Sequence, residues 1–381
     1  MKLPLAADNM NFTEKIINKF KRPLSVGLLI FLLGGFGGLF VQNYLAPYLS
    51  SKPVFRHFGF LNPSSPIVIT KTETVRVNEN VRLSDLVKEL TPEVVLILGG
   101  AGSPGAGFQE QVRSTGLILS SDGVVATDKN IFSDKKPAYI AVTSDGNVLP
   151  VTLVAVDPKS ELALVKIQDG TLSAVNFGLS YDLSLGQQLV ILAGTEATNL
   201  SQVRILGVSQ ASGDVNINAV FSSESFQRSF SVDGSVSPGG GLFNFSGRLV
   251  GMGSAEGDII PAEVIKSALD SYFWSKEIVR ANFGVRYSPF GPAGSKIFGL
   301  TAEDGVLLRS SPRGAAVVQG SPAARAGFQE NDVIIRVNGE AITSRQPLDF
   351  FLNKSKPGDL LKLTVIRNAI EREIEITLSR L

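Results

Sequence analysis

The first pattern along the chain is an uncharged block. No charged residue lies between Pro23 and Ser51, and Leu24 to Val41 reads LSVGLLIFLLGGFGGLFV, close to the roughly 18 to 20 apolar residues that span a bilayer. This predicts a transmembrane helix over 24–45. Lys15, Lys19, Lys21 and Arg22 precede the block, and only Lys52 and Arg56 follow closely. The positive-inside rule then places residues 1–23 in the cytoplasm and the remainder outside it, in the periplasm or extracellular space. The alternative is a cleaved signal peptide, but the basic region and apolar run are long and no clear A-x-A site follows. Gly34 and Gly38 have the G-x-x-x-G spacing that can seat a second helix. Residues 46–80 read as a tether, because Pro53, Pro63, Pro66 and the pair Ser64-Ser65 favour an extended connection.

Beyond the tether, apolar positions come in short runs. Val81 to Leu90 has the spacing of an amphipathic helix ended by Pro92, and Glu93 to Leu98 reads as a strand. Gln111 to Ser120, a turn at Ser121-Asp122-Gly123, and Val124 to Thr127 read as a hairpin. Further strands are predicted at Tyr139 to Thr143, Val148 to Val156, Leu162 to Ile167, Gln188 to Ala193, Gln202 to Gln210 and Arg248 to Met252. So many short strands at close spacing argue for a sandwich or barrel. Gly99 to Gln109 carries no readable pattern, and its glycines suggest a mobile loop. Ala262 to Trp274 returns to helical spacing, as does Ser344 to Leu352, and Lys362 to Arg367 and Glu373 to Leu378 read as final strands.

The 381 residues leave room for a membrane segment and two globular units. With 38 glycines, the composition suits turn-rich β structure. Lysine and arginine (36) almost balance aspartate and glutamate (35), so no electrostatic case exists for nucleic acid. The absence of cysteine removes disulfides, thiol nucleophiles and cysteine metal sites; no metal or cofactor is expected. The single histidine, His57, sits in the tether.

Three motifs in order carry a resemblance: Ser114 to Thr127 (STGLILSSDGVVAT), Asp157 to Ile167 (DPKSELALVKI) and Asp233 to Asn244 (DGSVSPGGGLFN). Together they resemble the HtrA/Deg serine proteases, which are chymotrypsin-type double β-barrels followed by PDZ domains. The resemblance implies a mainly β fold: a trypsin-like protease domain over 81–275 and an α+β PDZ domain over 280–381. A protease of this type needs a hydroxyl nucleophile, an imidazole base, an orienting carboxylate and backbone N–H donors for the oxyanion. Asn130 occupies the position where the family has its histidine, and an amide cannot take and return a proton near neutral pH. With His57 upstream of the barrel, no imidazole is left for a triad. Glu161 matches the acidic position; without an imidazole to orient, it is expected to be an ordinary solvated charge. The nucleophile motif is three residues short after Asp233 to Gly239. One alignment puts Pro238 at the serine and the other Gly240, so the serine is missing either way. Ser235 and Ser237 are expected to form the turn. A serine–lysine dyad is the alternative chemistry; Lys166 is expected to face water and Lys129 to be held charged by Asp128.

In the C-terminal unit, Asn282-Phe283-Gly284-Val285 resembles the carboxylate-binding loop, and Ser321 to Gly339 (SPAARAGFQENDVIIRVNG) resembles the PDZ core of this family. Strand addition predicts that Phe283, Gly284 and Val285 receive a peptide's C-terminal carboxylate, with Gly284 allowing close approach. Leu348, Phe351 and Leu352 either line a side-chain pocket or form the buried face of a helix. Gly327 and Gly339 are expected in turns. Three readings follow: a membrane-tethered pseudoprotease that binds exposed peptides or protein C-termini; an active serine endopeptidase with an atypical nucleophile; and a regulatory subunit of active relatives, as a homotrimer or hetero-oligomer.

Overall fold

A computed structural model describes residues 30–45, 48, 79–103, 106–132, 138–168, 172–195, 200–210, 219–224 and 230–381. The tether and His57 lie outside them. The chain divides into two units, Met1–Arg76 and Val77–Leu381.

In the first unit, residues 30–40 are helical and a π-helical turn, Val41–Leu45, follows. Its large apolar side chains are exposed, Phe31 to 78% and Phe36 to 77%. Residues 24–29 of the expected span lie outside the described residues, and among the described residues no helix is long and apolar enough to cross a membrane.

The second unit begins with the helix Glu79–Leu90, which buries Leu86 and Leu90. The first sheet contains β1 (Val94–Ser103), β2 (Ala106–Ile118), β3 (Val124–Asp128), β4 (Ala138–Val142), β5 (Val148–Pro150), β6 (Thr152–Val156) and β7 (Leu162–Lys166), ordered β5-β4-β1-β2-β3-β7-β6. The two ends of that order are halves of one bent strand broken at Val151, so the sheet closes on itself. Residues 99–103 and 106–109 are therefore not a free loop. They form the far end of the β1–β2 hairpin, where register shifts at Gly99/Gly100 and beyond hide the alternation that would have marked strands.

A second sheet follows from β8 (Asn176–Phe177), β9 (Gln188–Thr195), β10 (Leu200–Gln210), β12 (Ser231–Val232), β13 (Gly241–Phe243), β14 (Arg248–Gly253) and β15 (Ile259–Pro261), ordered β12-β10-β9-β13-β14-β15, with β8 on β14. The short strand β11 (Phe221–Ser222) leaves this sheet and joins the next. One apolar core joins the two sheets: Leu117, Ala126 and Leu164 meet Val190, Phe243 and Met252, and the linking helix Ala262–Ser275 adds Val264, Ile265 and Ala268.

The C-terminal part holds β16 (Ala281–Asn282), β17 (Arg286–Phe290), β18 (Gly305–Leu308), β19 (Val333–Val337), β20 (Glu340–Ala341), β21 (Leu360–Arg367), β22 (Ile370–Thr377) and β23 (Ser379–Arg380), and its main sheet also takes in β11. Its order is β11-β17-β18-β19-β21-β22, with β16 paired to β23 apart from it. The helix Leu348–Lys354 packs on it through Leu348, Phe351 and Leu352. Its N-cap is Pro347, so the helix starts later than the apolar spacing from Ser344 suggested.

The two parts of this unit are tied by a buried ion pair. Arg280, 4% exposed, reaches Asp157, 0% exposed, at 2.5 Å, and also donates to Ser267 Oγ and the Val264 carbonyl. Burial works to raise the Asp157 carboxyl, but the charge and hydrogen bonds of Arg280 prevail and hold it below the usual range.

Candidate functional site

The strand β3 ends at Asp128, whose carboxylate caps the following 3-10 turn by accepting from the Asn130 N–H at 2.8 Å. Its other oxygen accepts from the Ala255 N–H at 2.7 Å. Asn130 is thereby aimed at the start of β7, and its Nδ2 donates to Glu161 Oε2 at 2.8 Å. Lys129 Nζ lies 3.1 Å from Glu161 Oε1 and also donates to the Ser160 carbonyl. The side chain of Glu161 is only 20% exposed, so it is not the ordinary solvated charge expected from sequence. Lys129 is held by Glu161, not by Asp128, and Lys166 pairs with Asp122 at 2.7 Å.

The shortened loop before β13 packs closely on the first barrel. Thr115 N and Ser114 Oγ both donate to the Pro238 carbonyl, at 3.0 and 3.2 Å. Gly239 is buried at φ +75°, and a Cβ there would come within 1.9 Å of the Thr115 carbonyl oxygen. Only glycine fits. The Gly239 N–H donates to the Gly253 carbonyl at 2.8 Å and the Gly240 N–H to the Ser237 carbonyl at 2.9 Å; Pro238 has no N–H. These groups are committed to backbone partners, so they offer no pair of donors for a developing oxyanion. Ser235 is exposed and takes Arg204, whose Nη1 donates to its carbonyl at 2.9 Å. A guanidinium is no proton acceptor.

In the C-terminal sheet, Phe283, Gly284 and Val285 form the loop between β16 and β17. Phe283 and Val285 are fully buried. Gly284 has φ +86°, and a Cβ on it would meet Ser321 Cβ at 2.1 Å. The space it leaves is taken by Ser321, not held open for a ligand. Gly327 and Gly339 also have positive φ, with open space where a Cβ would stand. The loop N–H groups of Gly284 and Val285 donate to Ser223 Oγ at 3.1 and 3.0 Å, and Ser223 N donates back to the Val285 carbonyl at 2.9 Å. Just before Ser223, β11 pairs antiparallel with β17, Phe221 opposite Tyr287 and Ser222 opposite Arg286. Ser288 Oγ donates to the Ala219 carbonyl at 2.8 Å. Phe221 packs against the core that contains Phe283, Leu348, Phe351 and Leu352.

Several residues here carried no mark as site residues in the sequence. Lys159 Nζ donates to the Ser223 carbonyl at 2.9 Å and to the Ala281 carbonyl at 3.2 Å. Burial, with Arg280 nearby, pushes its ammonium down to about 8. Tyr181 Oη donates to Asp349 Oδ2 at 3.1 Å, joining the first part to the helix Leu348–Lys354. Lys159 lies within the Asp157 to Ile167 motif, whereas Ser223 and Tyr181 lie in no motif. A separate cavity of about 850 Å³, with Phe177, Trp274 and Lys356 in its wall, contains none of the triad positions. Among the described residues no cluster of acidic or histidine side chains could hold a metal ion.

Comparison with known proteins places domains on this geometry. A trypsin-like peptidase domain matches residues 105–252 and a PDZ domain residues 300–378. A probable periplasmic serine endoprotease, DegP-like, of Chlamydia trachomatis is 27% identical over 286 residues, covering 72% of this chain and 55% of its own length. A protein of the same description from Pseudomonas putida (strain GB-1) is 27% identical over 294 residues, covering 73% and 59%. The chain spans about half the length of the curated relatives it matches. Among solved structures, the HtrA-type protease AlgW with a tripeptide aligns at TM-score 0.56 and 20% identity, covering 78% of this chain and 97% of that one. AlgW with a decapeptide aligns at TM-score 0.52. At that identity the likeness is one of fold.

Proposed function

We propose that this chain is of the HtrA/Deg type, a trypsin-like peptidase domain followed by a PDZ domain, and that it is a pseudoprotease that binds peptides rather than cutting them. The observation that carries the reading is the pair Asn130–Glu161, joined at 2.8 Å where a protease holds imidazole to carboxylate. The committed N–H groups of Gly239 and Gly240 support it. So does the absence of any histidine but His57 from the sequence. Removing nucleophile and base from a well-studied serine protease costs about a million-fold in turnover.

Peptide binding falls to the PDZ domain. An extended chain adds to the edge of β17 that β11 takes in this structure, its end carboxylate received at Phe283, Gly284 and Val285, with Leu348, Phe351 and Leu352 forming the wall beneath it. The relatives named periplasmic support an extracytoplasmic location for the globular unit. The exposed apolar side chains of residues 30–40, with the uncharged block around them, support anchoring by a single membrane span.

The test is an array of peptides ending in apolar residues, each made with a free carboxylate and with a C-terminal amide, probed with the full chain in detergent. Retention of the free acids over the amides is expected. Equal retention of both, or of neither, counts against C-terminal recognition.

A further inference from the structure

The groove assigned to peptides is occupied by the chain itself. Residues 219–224 come from the peptidase domain, yet β11 adds to the β17 edge in the antiparallel sense, as a ligand strand does. Its C-terminal end points into the loop, where the Ser223 hydroxyl accepts from both Gly284 and Val285. That oxygen stands where a peptide carboxylate would. The Ser288 bond to Ala219 and the packing of Phe221 complete the match along the strand. Lys159, bound to the Ser223 carbonyl at 2.9 Å, brings an ammonium to the same end.

We infer that residues 219–224 are the resident ligand of the PDZ groove, and that a partner ending in a free carboxylate gains access only by displacing them, with Lys159 as an added contact for that carboxylate. The inference rests on the peptide-binding reading and adds its regulation. Two effects set the balance. A tethered segment competes at an effective concentration that reaches the millimolar range for short links. An incoming carboxylate answers with charge-assisted bonds about twice as strong as those to a neutral hydroxyl. Outside peptides should therefore bind more weakly than the open groove would allow, by the fraction of time it is open.

The cysteine-free sequence allows a direct test. Ser223 N donates to the Val285 carbonyl, and the N–H and carbonyl of Arg286 turn away to Ala316 and Arg309, so the neighbouring register pair Ser222 and Arg286 is the close, non-hydrogen-bonded kind, with Cα atoms about 4.5 Å apart, within disulfide reach. In the full chain carrying Ser222→Cys and Arg286→Cys, mild oxidation should form an intramolecular disulfide, read by mass spectrometry. A fluorescein-labelled peptide copying residues 215–223, with a free carboxylate, should then bind the oxidised form at least ~10-fold more weakly than the reduced form. Phe221→Gln, which changes no residue of the PDZ domain itself, should strengthen probe binding over the native chain. Failure of the disulfide to form overturns the inference, as does equal probe affinity in the oxidised and reduced forms. A disulfide that forms while the probe binds neither form nor the Phe221→Gln variant upholds the resident ligand and removes the peptide-capture function instead.

Discussion

The side-chain amide of Asn130 donates to Glu161 at 2.8 Å, so the two positions that resemble the family's histidine and carboxylate are joined through an amide, which cannot take and return a proton near neutral pH. Lys129 neutralises the other oxygen of the same carboxylate. Placing an imidazole at position 130 should therefore not by itself produce a serine hydrolase. In Asn130→His, an imidazole can be oriented by Glu161, but the Gly239 and Gly240 N–H groups remain committed. The variant is expected to stay unlabelled by a fluorophosphonate serine-hydrolase probe; stoichiometric labelling would show that a serine in reach has become reactive.

Any side chain at Gly239, between the two positions that align with the family's serine, should damage the fold. Gly239→Ser introduces a Cβ that meets the Thr115 carbonyl oxygen at 1.9 Å in a left-handed backbone conformation. A loss of about 3 kcal/mol or more is expected, read as a lower urea midpoint with the slope unchanged. A midpoint within error of the native chain would mean the loop relaxes freely.

The ion pair between Arg280 and Asp157 links the two domains while almost fully buried. Arg280→Met leaves a buried carboxylate unpaired and should cost about 3–5 kcal/mol. Asp157→Leu combined with Arg280→Met should recover much of that loss, because the lone charge is gone. Equal destabilisation in the single and double variants would point to lost packing, not to the charge.

Acid pH should stabilise the chain. Burial raises Asp349 from 3.8 to about 6, against a Tyr181 hydrogen bond that works to lower it, and burial with Glu89 nearby raises Glu93 from 4.5 to about 7. Both folded values lie above the unfolded ones, so the folded chain holds more protons in between and stability is lost as pH rises from about 4 to about 7. Asp349→Asn should flatten the lower part of that slope in Tm measured against pH. An unchanged slope would place the burden on other groups.

The strands with a clean apolar rhythm were legible in the sequence. Val124–Asp128 and Leu162–Lys166 are buried nearly throughout, and turn residues bracket them. The β1–β2 hairpin was hidden, because Gly99, Gly100, Gly102 and Gly107 carry no side chain to alternate and bulges shift its register. At the triad positions, residue identities could be read off the motifs, but partners could not: Lys129 and Glu161 meet only because β3 and β7 lie side by side. The occupant of the groove was the least legible feature. Phe221 and Ser222 make a strand too short for any periodic signal, and its partner β17 belongs to another domain.

The most direct test of binding without cleavage is the fate of unfolded casein incubated with the full chain in detergent, beside a Ser235→Ala and Ser237→Ala double variant. Fragments resolved by mass spectrometry should be the same as in buffer for both proteins. New fragments from the native chain that vanish in the double variant would contradict the account and make this protein a protease with a rearranged site.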